Sequence, residues 1–410
     1  MTAAAVPARQ PGPFAPLGER NYRLFFIGNL SSNLGTFCQS IAQSLLVFRL
    51  TGSTALVGVV NFAQYAAVPV LAPAAGSIAD RYDRRRVLIG VQLAAMAVSG
   101  VLTVLATTGR ATAWTVIALA GLLGVTGAFQ FPVSRALAPL LISDRNLGRA
   151  INLDSVSVNL ARALGPVAGA LIVARFGVEW AFGINAASFG LLAAALLLVR
   201  PRPQAGIGTR SSFREGLRIV RRRPMLALLL FIVAACAIGA DPPVTLGPEL
   251  ADRFGGGDPL AGLILGAFGA GGVVGAFVAG AESPRHHRKV GRLLCLLGGG
   301  VALFALSSAL PLTLIGSFVA GFGYLSAQTR TSTLLVRSIA DAERGRIMAL
   351  WSIAFIGTRP LASLLDGLLA DYVDLRLAAL VMGVPAVVAA VLSFRMDRRR
   401  PPAISTPTGI

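Results

Sequence analysis

The chain has 410 residues, of which 55% are hydrophobic and 13% charged, and its mean hydropathy is +0.71. Soluble domains carry about 25% charged residues, so this composition excludes a soluble protein and predicts a polytopic membrane protein. The net charge of +19 does not indicate nucleic-acid binding, because the arginines are scattered between apolar runs and form no basic domain. The three cysteines lie in apolar runs without metal-binding spacing, so we expect buried thiols, no metal site and no cofactor.

Twelve apolar runs are each long enough to cross a bilayer, and we call them segments 1 to 12. They span approximately 22–48, 54–79, 87–107, 113–141, 150–174, 180–199, 225–250, 260–281, 291–309, 311–338, 346–370 and 375–394. The predicted fold is all-α, with an N-terminal tail at 1–21, a six-helix half at 22–199, a basic linker at 200–224, a second six-helix half at 225–394 and a C-terminal tail at 395–410.

The arginines predict the orientation in the membrane. Only Arg49, Arg110, Arg175, Arg253 and Arg376 fall in the loops on one side, whereas the tails, the linker and the other loops are rich in arginine. Arginine-rich loops stay in the cytoplasm, so we expect both termini to be cytoplasmic in a multi-pass protein of the cell membrane.

Segment 1 contains four amides and no acid. Asn29 and Asn33 share one helical face, as do Gln39 and Gln43, and we expect these faces to line a cavity. Such donors suit neutral or mixed substrates. The aromatic residues that could add an apolar or stacking surface are Phe25, Phe37, Tyr65, Phe129, Phe131, Trp351 and Phe355.

A short, highly charged loop, residues 76–86 (GSIADRYDRRR), separates segments 2 and 3, and we call it the charged hinge. Charges of this density are too costly in hydrocarbon, so the hinge must lie in water or headgroups. Its spacing, Gly76-x-x-x-Asp80-Arg81-x-x-Arg84-Arg85, resembles the loop between helices 2 and 3 of the major facilitator superfamily of secondary transporters. Asp83 departs from that pattern, because the family usually has glycine there.

The resemblance implies a cytoplasmic latch that breaks in each transport cycle. Asp80 would cap the start of segment 11 near Gly345 and pair with Arg135 of segment 4. The latch residues implied in this way are Gly76, Asp80, Arg81, Arg84, Arg85 and Arg135.

Segment 5 carries the sequence Gly165-Pro166-Val-Ala-Gly169, which resembles an element that exporters of the superfamily have in helix 5. Small residues at intervals of four let another helix approach closely, and Pro166 is expected to bend the segment. Plain helix packing would explain the same pattern. Asp154, one turn inside the segment, is a candidate for proton coupling and for contact with Arg135.

The basic linker divides the segments six and six, and the two halves repeat each other. Arg149 and Arg346 each begin a segment, and Arg162 and Arg359 follow thirteen residues later, so both pairs share an offset of 197. This register indicates a parallel duplication of the kind this superfamily shows. Within the linker, residues 211–223 suit an amphipathic helix on anionic headgroups, or alternatively a plain polybasic loop.

Two arginines and one acid lie deep in apolar segments, where a charge has a high free-energy cost unless it is hydrated or paired with an opposite charge. Arg162 and Arg359 are candidates for the substrate cavity, where they would attract anionic groups; a structural pair with Asp366 or with carbonyls of a broken helix is the alternative. Asp241 precedes Pro242 and Pro243, which remove two backbone donors and break segment 7. It is the first candidate for reversible protonation, whereas Glu249 is expected to be an ordinary residue at the outer interface.

These features predict a secondary transporter, not an enzyme, working as a monomer by alternating access. Residues 131–139 (FPVSRALAP), the charged hinge and the basic linker resemble the branch that exports siderophores and macrolides. The function implied is ion-driven, most simply proton-driven, export of small amphipathic molecules. An importer of a small metabolite on the same fold and a transport-silent receptor or scaffold are the alternatives.

Overall fold

The computed structural model describes residues 12, 14–202, 213–281, 287–340 and 343–398, and within these ranges the regular structure is entirely helical. Of the predicted tails, residues 1–11, 13 and 399–410 fall outside these ranges. The first half contains six helices: α1 (Arg20–Thr51), α2 (Thr54–Arg81), α3 (Arg84–Thr107), α4 (Ala113–Leu137), α5 (Asp144–Phe176) and α6 (Val178–Leu198).

The second half has six segments, two of which are interrupted. Segment 7 comprises α8 (Pro224–Gly239), α9 (Pro242–Thr245) and α10 (Gly247–Arg253), and segment 11 comprises α14 (Arg344–Ser352), a π turn (Ile353–Gly357) and α15 (Arg359–Tyr372). The remaining helices are α7 (Phe213–Arg222) in the linker, α11 (Gly257–Ala281), α12 (His287–Leu306), α13 (Leu310–Arg337) and α16 (Leu375–Arg398).

Eleven of the described segments are long and apolar enough to cross a membrane. The twelfth is α1, whose amides and serines lower its hydropathy. At 1.5 Å per residue its 32 residues extend about 48 Å, which exceeds the roughly 30 Å of a hydrocarbon core. It packs between α2, α5 and α6 inside the bundle, so its polar residues face protein instead of lipid. The predicted all-α fold of twelve segments in two halves is confirmed.

The two halves meet most closely at the end of the bundle opposite the charged hinge, which we call the far end. There α2 crosses α15: a Cβ added at Gly367 would lie 2.5 Å from Thr54 O, and one added at Gly58 would strike the backbone oxygen of Ser363. Asp371 accepts hydrogen bonds from Ser53 Oγ (2.5 Å) and from the backbone N–H of Thr54 (2.9 Å). These contacts close the far end.

At the hinge end, arginines of the charged hinge bind helix C-termini of their own half. Arg84 Nη1 donates to Ala136 O (2.9 Å), and Arg85 donates to Leu196 O (2.6 Å) and Leu197 O (2.7 Å). Cations are favourable at these positions because helix C-termini expose unpaired carbonyls. The hinge is thereby fixed to the ends of α4 and α6.

The linker forms a helix, as one of its two sequence interpretations predicts, and that helix packs on segment 11. Glu215 of α7 pairs with Arg346 of α14 (3.2 Å), and Gly216 lies against the Arg346 backbone. Arg223, just after α7, pairs with Glu343 (2.8 Å). The linker is thus joined to the second half, and its position on lipid headgroups stays a prediction.

The first helix is held to the start of α5 by Glu19. Its carboxylate accepts hydrogen bonds from the Ser143 backbone (2.8 Å) and side chain (2.5 Å) and from Asn146 Nδ2 (2.8 Å). Partial burial acts to raise the pKa of Glu19, but these bonds and the charge of Arg202 outweigh it and lower the pKa. The anion also lies favourably near the N-terminus of α5.

Glu19→Gln is expected to lower the melting temperature at neutral pH by a small margin, on the order of 2 °C. A lowered folded-state pKa gives stabilisation that is complete above the unfolded value and is lost as the pH falls through the folded one. Melting curves of wild type and variant should therefore converge in acid. A constant difference at all pH values would contradict this role.

Candidate functional site

Arg162 and Arg359 line one cavity between the two halves. Arg162 lies in α5, and Arg359 begins α15 directly after the π turn of segment 11. The cavity is otherwise mostly apolar, and α1, α2, α8, α9, α11 and α13 complete its wall. Its further lining residues are Phe37, Ser40, Ile41, Tyr65, Pro166, Ala240, Val244, Leu265, Phe268, Gly269, Gly272, Tyr324 and Leu325. The repeat in the sequence thus corresponds to two guanidinium groups at one site.

Aromatic rings hold both guanidinium groups. Arg162 Cζ lies 4.5 Å from the ring centroid of Phe355 and 5.9 Å from that of Phe37, while Arg359 Cζ lies 5.3 Å from that of Tyr65. Such cation–π contacts stabilise a cation without neutralising its charge. Among the described residues, Arg162 Nε is buried without a hydrogen-bond acceptor. The site therefore presents two guanidinium groups to an anionic ligand, although Asp241 also interacts electrostatically with Arg359.

Stacked aromatic pairs extend the apolar wall around these charges. Trp351 stacks on Phe355 with centroids 5.2 Å apart, and Phe268 stacks on Tyr324 at 5.9 Å. Tyr324 also interacts electrostatically with Arg162 and Arg359. Phe268 and Tyr324 were not predicted, because aromatic residues in apolar segments are usually simple packing and no charge marked these two.

The amides of segment 1 lie elsewhere. Gln39 Oε1 accepts hydrogen bonds from Ser99 (2.9 Å) and Asn185 (2.7 Å), so this side chain points into the first half. Asn29, Asn33 and Gln43 are also buried, and none of the four is among the lining residues of the cavity. The face of α1 that reaches the cavity is the adjacent one, which carries Phe37, Ser40 and Ile41.

Asp241 lies in the predicted break of segment 7, between α8 and α9, and is 1% exposed. It is the N-cap residue of α9, but its side chain makes no capping bond and accepts hydrogen bonds from Thr245 Oγ1 (2.7 Å) and Ser363 Oγ (2.6 Å). Both donors are hydroxyls because Pro242 and Pro243 have removed backbone N–H groups there. Segments 7 and 11 are thus linked through this carboxyl group.

Asp366 of α15 is a buried acid that the sequence offered only as a structural partner for the arginines. It is fully buried, and both of its oxygens lack a hydrogen-bond donor among the described residues. The predicted alternative of a structural pair with Arg162 or Arg359 is therefore not what the described contacts show. Its recognisable signal was its spacing: Arg359, Ser363 and Asp366 share one helical face.

Asp154, the second candidate for proton coupling, lies in the hinge-side part of α5. Tyr22 donates a hydrogen bond to it (2.8 Å), and Arg135 of α4 interacts with it electrostatically. The expected proximity of Asp154 and Arg135 is therefore present. Glu249, expected at the outer interface, lies at the far end, where it accepts a hydrogen bond from Thr54 (2.5 Å) and pairs with Arg253 (2.6 Å).

The helix 5 element packs α5 on α1. A Cβ at Gly169 would lie 2.5 Å from Cys38 O, and one at Gly165 would lie 2.5 Å from Phe37 Cβ. Pro166 is inside a continuous helix and lines the cavity. The two glycines thus position Phe37 and Arg162 on the same wall.

The predicted latch is only partly visible. Asp80 is in the last turn of α2, but its side chain, like that of Arg344, lies outside the described part of the structure. Gly76 has open space around its Cα, and Arg81 is exposed. The contact of Asp80 with segment 11 and with Arg135 stays a prediction.

With two repeated halves and one charged cavity between them, the chain has the architecture of a secondary transporter. A family model described as a transmembrane secretion effector (MFS_3) matches residues 11–405. The chain belongs to this family of the major facilitator superfamily. It is accordingly a transporter and a multi-pass protein of the inner membrane, and the predicted superfamily membership is confirmed.

Two relatives show where this transporter lies within the superfamily. It is 26% identical to the enterobactin exporter EntS of Escherichia coli O157:H7, over 95% of this chain and 96% of that protein. It is 25% identical to the uncharacterized MFS-type transporter YfiS of Bacillus subtilis, over 88% of this chain and 90% of the relative. The resemblance to siderophore exporters is thus supported along almost the whole length.

Solved structures show the same fold at low sequence identity. One is a bacterial homolog of the human lysosomal transporter Spinster, inward-facing and unoccupied, with a TM-score of 0.75, 14% identity, and coverage of 95% of this chain and 100% of that chain. Another is a point mutant of the nucleoside transporter NupG, with a TM-score of 0.71, 13% identity, and coverage of 92% of this chain and 99% of that chain.

Proposed function

We propose that this transporter exports small amphipathic molecules that carry an anionic group, by alternating access. The observation behind this proposal is that Arg162 and Arg359 line one cavity whose other walls are aromatic and aliphatic. An anionic head can bind the two guanidinium groups while an apolar body contacts Phe37, Phe268 and Tyr324. The relative named as an enterobactin exporter supports the direction of transport.

The orientation follows from the arginines, and we propose that the hinge end faces the cytoplasm. The far end is closed by the crossing of α2 and α15 and by hydrogen bonds from Ser53 and Thr54 to Asp371. The structure then corresponds to a state that receives substrate from the cytoplasm. Opening of the far end would release it on the other side.

The energy source in this proposal is the proton gradient, with Asp241 as the first protonation site and Asp154 as the second candidate. For a carboxyl group that is 1% exposed, burial costs more free energy in the ionised form than in the protonated form, so burial favours proton uptake. Asp241 also connects segments 7 and 11, which suits a group whose charge must affect helix positions.

Inverted membrane vesicles test the function directly, because export then appears as uptake. Vesicles with an acidic interior are expected to accumulate an anionic catecholate siderophore at least about tenfold above vesicles without the transporter, and a cationic dye of similar size much less. A protonophore should abolish the accumulation. Proton-driven uptake into right-side-out vesicles would instead establish the importer alternative, and no transport in either orientation would favour the receptor or scaffold.

A further inference from the structure

Two fully buried carboxyl groups lie near each other between segments 7 and 11. Asp241 is 1% exposed and Asp366 is 0% exposed, and Asp366 lies close enough to Asp241 for like charges on the two to repel each other. Ser363, one turn before Asp366 on the same face of α15, donates a hydrogen bond to Asp241 (2.6 Å). This geometry makes a carboxyl pair, in which Asp241 has two hydroxyl donors and Asp366 has none among the described residues.

Charge balance indicates how many protons this carboxyl pair binds. With both groups ionised, two like charges would lie together out of water, and the described contacts leave the oxygens of Asp366 without a donor. With one proton, the pair carries a single negative charge, which Arg359 on the same helix and electrostatically coupled to Asp241 can balance. Because no described donor stabilises the anion of Asp366, this carboxyl group is more stable protonated than ionised.

We propose that Asp241 and Asp366 share one proton and together form the proton-binding site of this transporter, an inference that rests on the proposed proton-driven export. The proton enters from water when the far end is open, and one carboxylate of the pair accepts it. The pair returns it to water on the other side after the far end has closed. Asp366, which no sequence pattern marked for this role, is as necessary as Asp241.

The position of the pair connects it to the opening of the far end. Along α15, Arg359 lines the cavity, Asp366 follows about 10 Å later, and Asp371 lies about 7.5 Å beyond it at the closed far end. The backbone oxygen of Ser363 faces Gly58 at the close crossing of α2 and α15. If both carboxyl groups were ionised, the second negative charge would attract water into the crossing of α2 and α15, which must separate for the substrate to be released. Binding of a proton to the pair therefore favours the closed far end.

Other titratable groups lie on the elements packed around the pair. Between Arg376 and Arg395, α16 has no titratable residue, and the π turn has none. The other titratable residues on the elements packed around the pair and along the adjoining cavity include Arg359 and Asp371 on α15, Tyr65 on α2, Cys236 on α8, Glu249 on α10, Tyr324 on α13 and Arg162 on α5.

Infrared difference spectroscopy on the purified, substrate-free protein tests the shared proton. The wild type is expected to show the carbonyl stretch of one protonated buried carboxyl group at neutral pH, and this band should disappear at alkaline pH. In Asp366→Asn, Asp241 no longer faces a second carboxyl group and has Arg359 as its counter-charge, so it should be ionised at neutral pH. The band of the protonated carboxyl group should then be absent. Persistence of the band in that variant would overturn the proposal.

Spin-label distances test the link to the far end. Labels at Arg110 and Tyr372, which are exposed at the far end on different halves, report its opening, and labels at Arg86 and Arg337 report the hinge end. These are placed in a Cys295→Ser background, because Cys38 and Cys236 are buried. In the wild type, raising the pH should lengthen the far-end distance and shorten the hinge-end distance.

Matched variants identify the groups responsible. Asp366→Asn should hold the far end closed at all pH values, whereas Asp366→Glu, which can still share a proton, should restore the pH response. Asp252→Asn removes an exposed acid at the far end and should leave the response unchanged. A wild-type response in Asp366→Asn, or a response to sodium in place of pH, would refute the shared proton.

Export assays on the same variants separate this inference from the proposed function. One outcome is that wild-type vesicles export no anionic amphiphile while the infrared band and the label distances behave as described. That result would refute the proposed function and leave the shared proton of Asp241 and Asp366 supported. If the wild type exports and Asp366→Asn keeps full gradient-driven accumulation, the pair is refuted and the function stands. Size-exclusion profiles of each variant confirm that only folded protein is compared.

Discussion

Replacing Arg162 or Arg359 by alanine is expected to weaken binding of an anionic amphipathic substrate about tenfold to a hundredfold. A hydrogen bond to a charged group contributes about 1.5–3 kcal/mol, and each 1.4 kcal/mol corresponds to a factor of ten. Both guanidinium groups line the cavity and pack against aromatic rings, and that of Arg359 also interacts electrostatically with Asp241. Titration calorimetry on the purified protein with a catecholate ligand measures the loss.

The lysine variants separate charge from geometry. Arg162→Lys keeps the positive charge but loses the planar group that stacks on Phe355, so binding should be only partly restored. A neutral analogue of the ligand should bind wild type and both alanine variants with similar affinity. Arg110→Ala, at an exposed position, controls for the change in net charge.

The competing explanation is that the arginines are structural. In that case the melting temperature of each alanine variant would fall while the affinity for the anionic ligand stayed constant. Measuring thermal unfolding and binding on the same preparations distinguishes these outcomes. An unchanged affinity would remove that arginine from the substrate site.

The fold was predictable because a membrane imposes simple constraints. Apolar runs of sufficient length mark helices, and the spacing of 197 between two pairs of arginines marked the duplication. The same offset placed Arg162 and Arg359 at equivalent depths, and the structure brings both to one cavity. A charge in an apolar segment is a strong signal because few environments tolerate it.

The rest of the site depended on information that a single sequence lacks. Gln39 and Ser40 are adjacent, yet one binds Asn185 inside the first half and the other lines the cavity. Both helical faces of α1 carry polar residues, so periodicity cannot decide which one faces the cavity. Asp366 likewise required the packing of α15 near Asp241 before its lack of a donor became evident.

Valine at Gly58 is expected to reduce transport about tenfold or more by preventing closure of the far end. The added side chain would strike the backbone oxygen of Ser363, which cannot move aside as a side chain could. Overpacking of this kind costs about 1–3 kcal/mol, enough to shift a two-state equilibrium by about one to two orders of magnitude.

The crossing at Gly58 is reciprocal, which strengthens this expectation. Thr54 and Gly58 form one small pair at an interval of four on α2, and Ser363 and Gly367 form another on α15, so each glycine lies against backbone of the opposite helix. In Gly58→Val, the far-end distance between labels at Arg110 and Tyr372 should therefore stay long even in acid.

Gly100→Val is the matched control, because it makes the same substitution within a helix of the first half where a Cβ would meet nothing within 4 Å. It makes the same change in helix propensity and should transport like the wild type. If Gly58→Val instead retained wild-type transport and a short far-end distance, the crossing of α2 and α15 would not be the closure that alternates during transport. The gate would then have to lie at the other contact between the halves, where α5 meets α11 at Ala170 and Gly262.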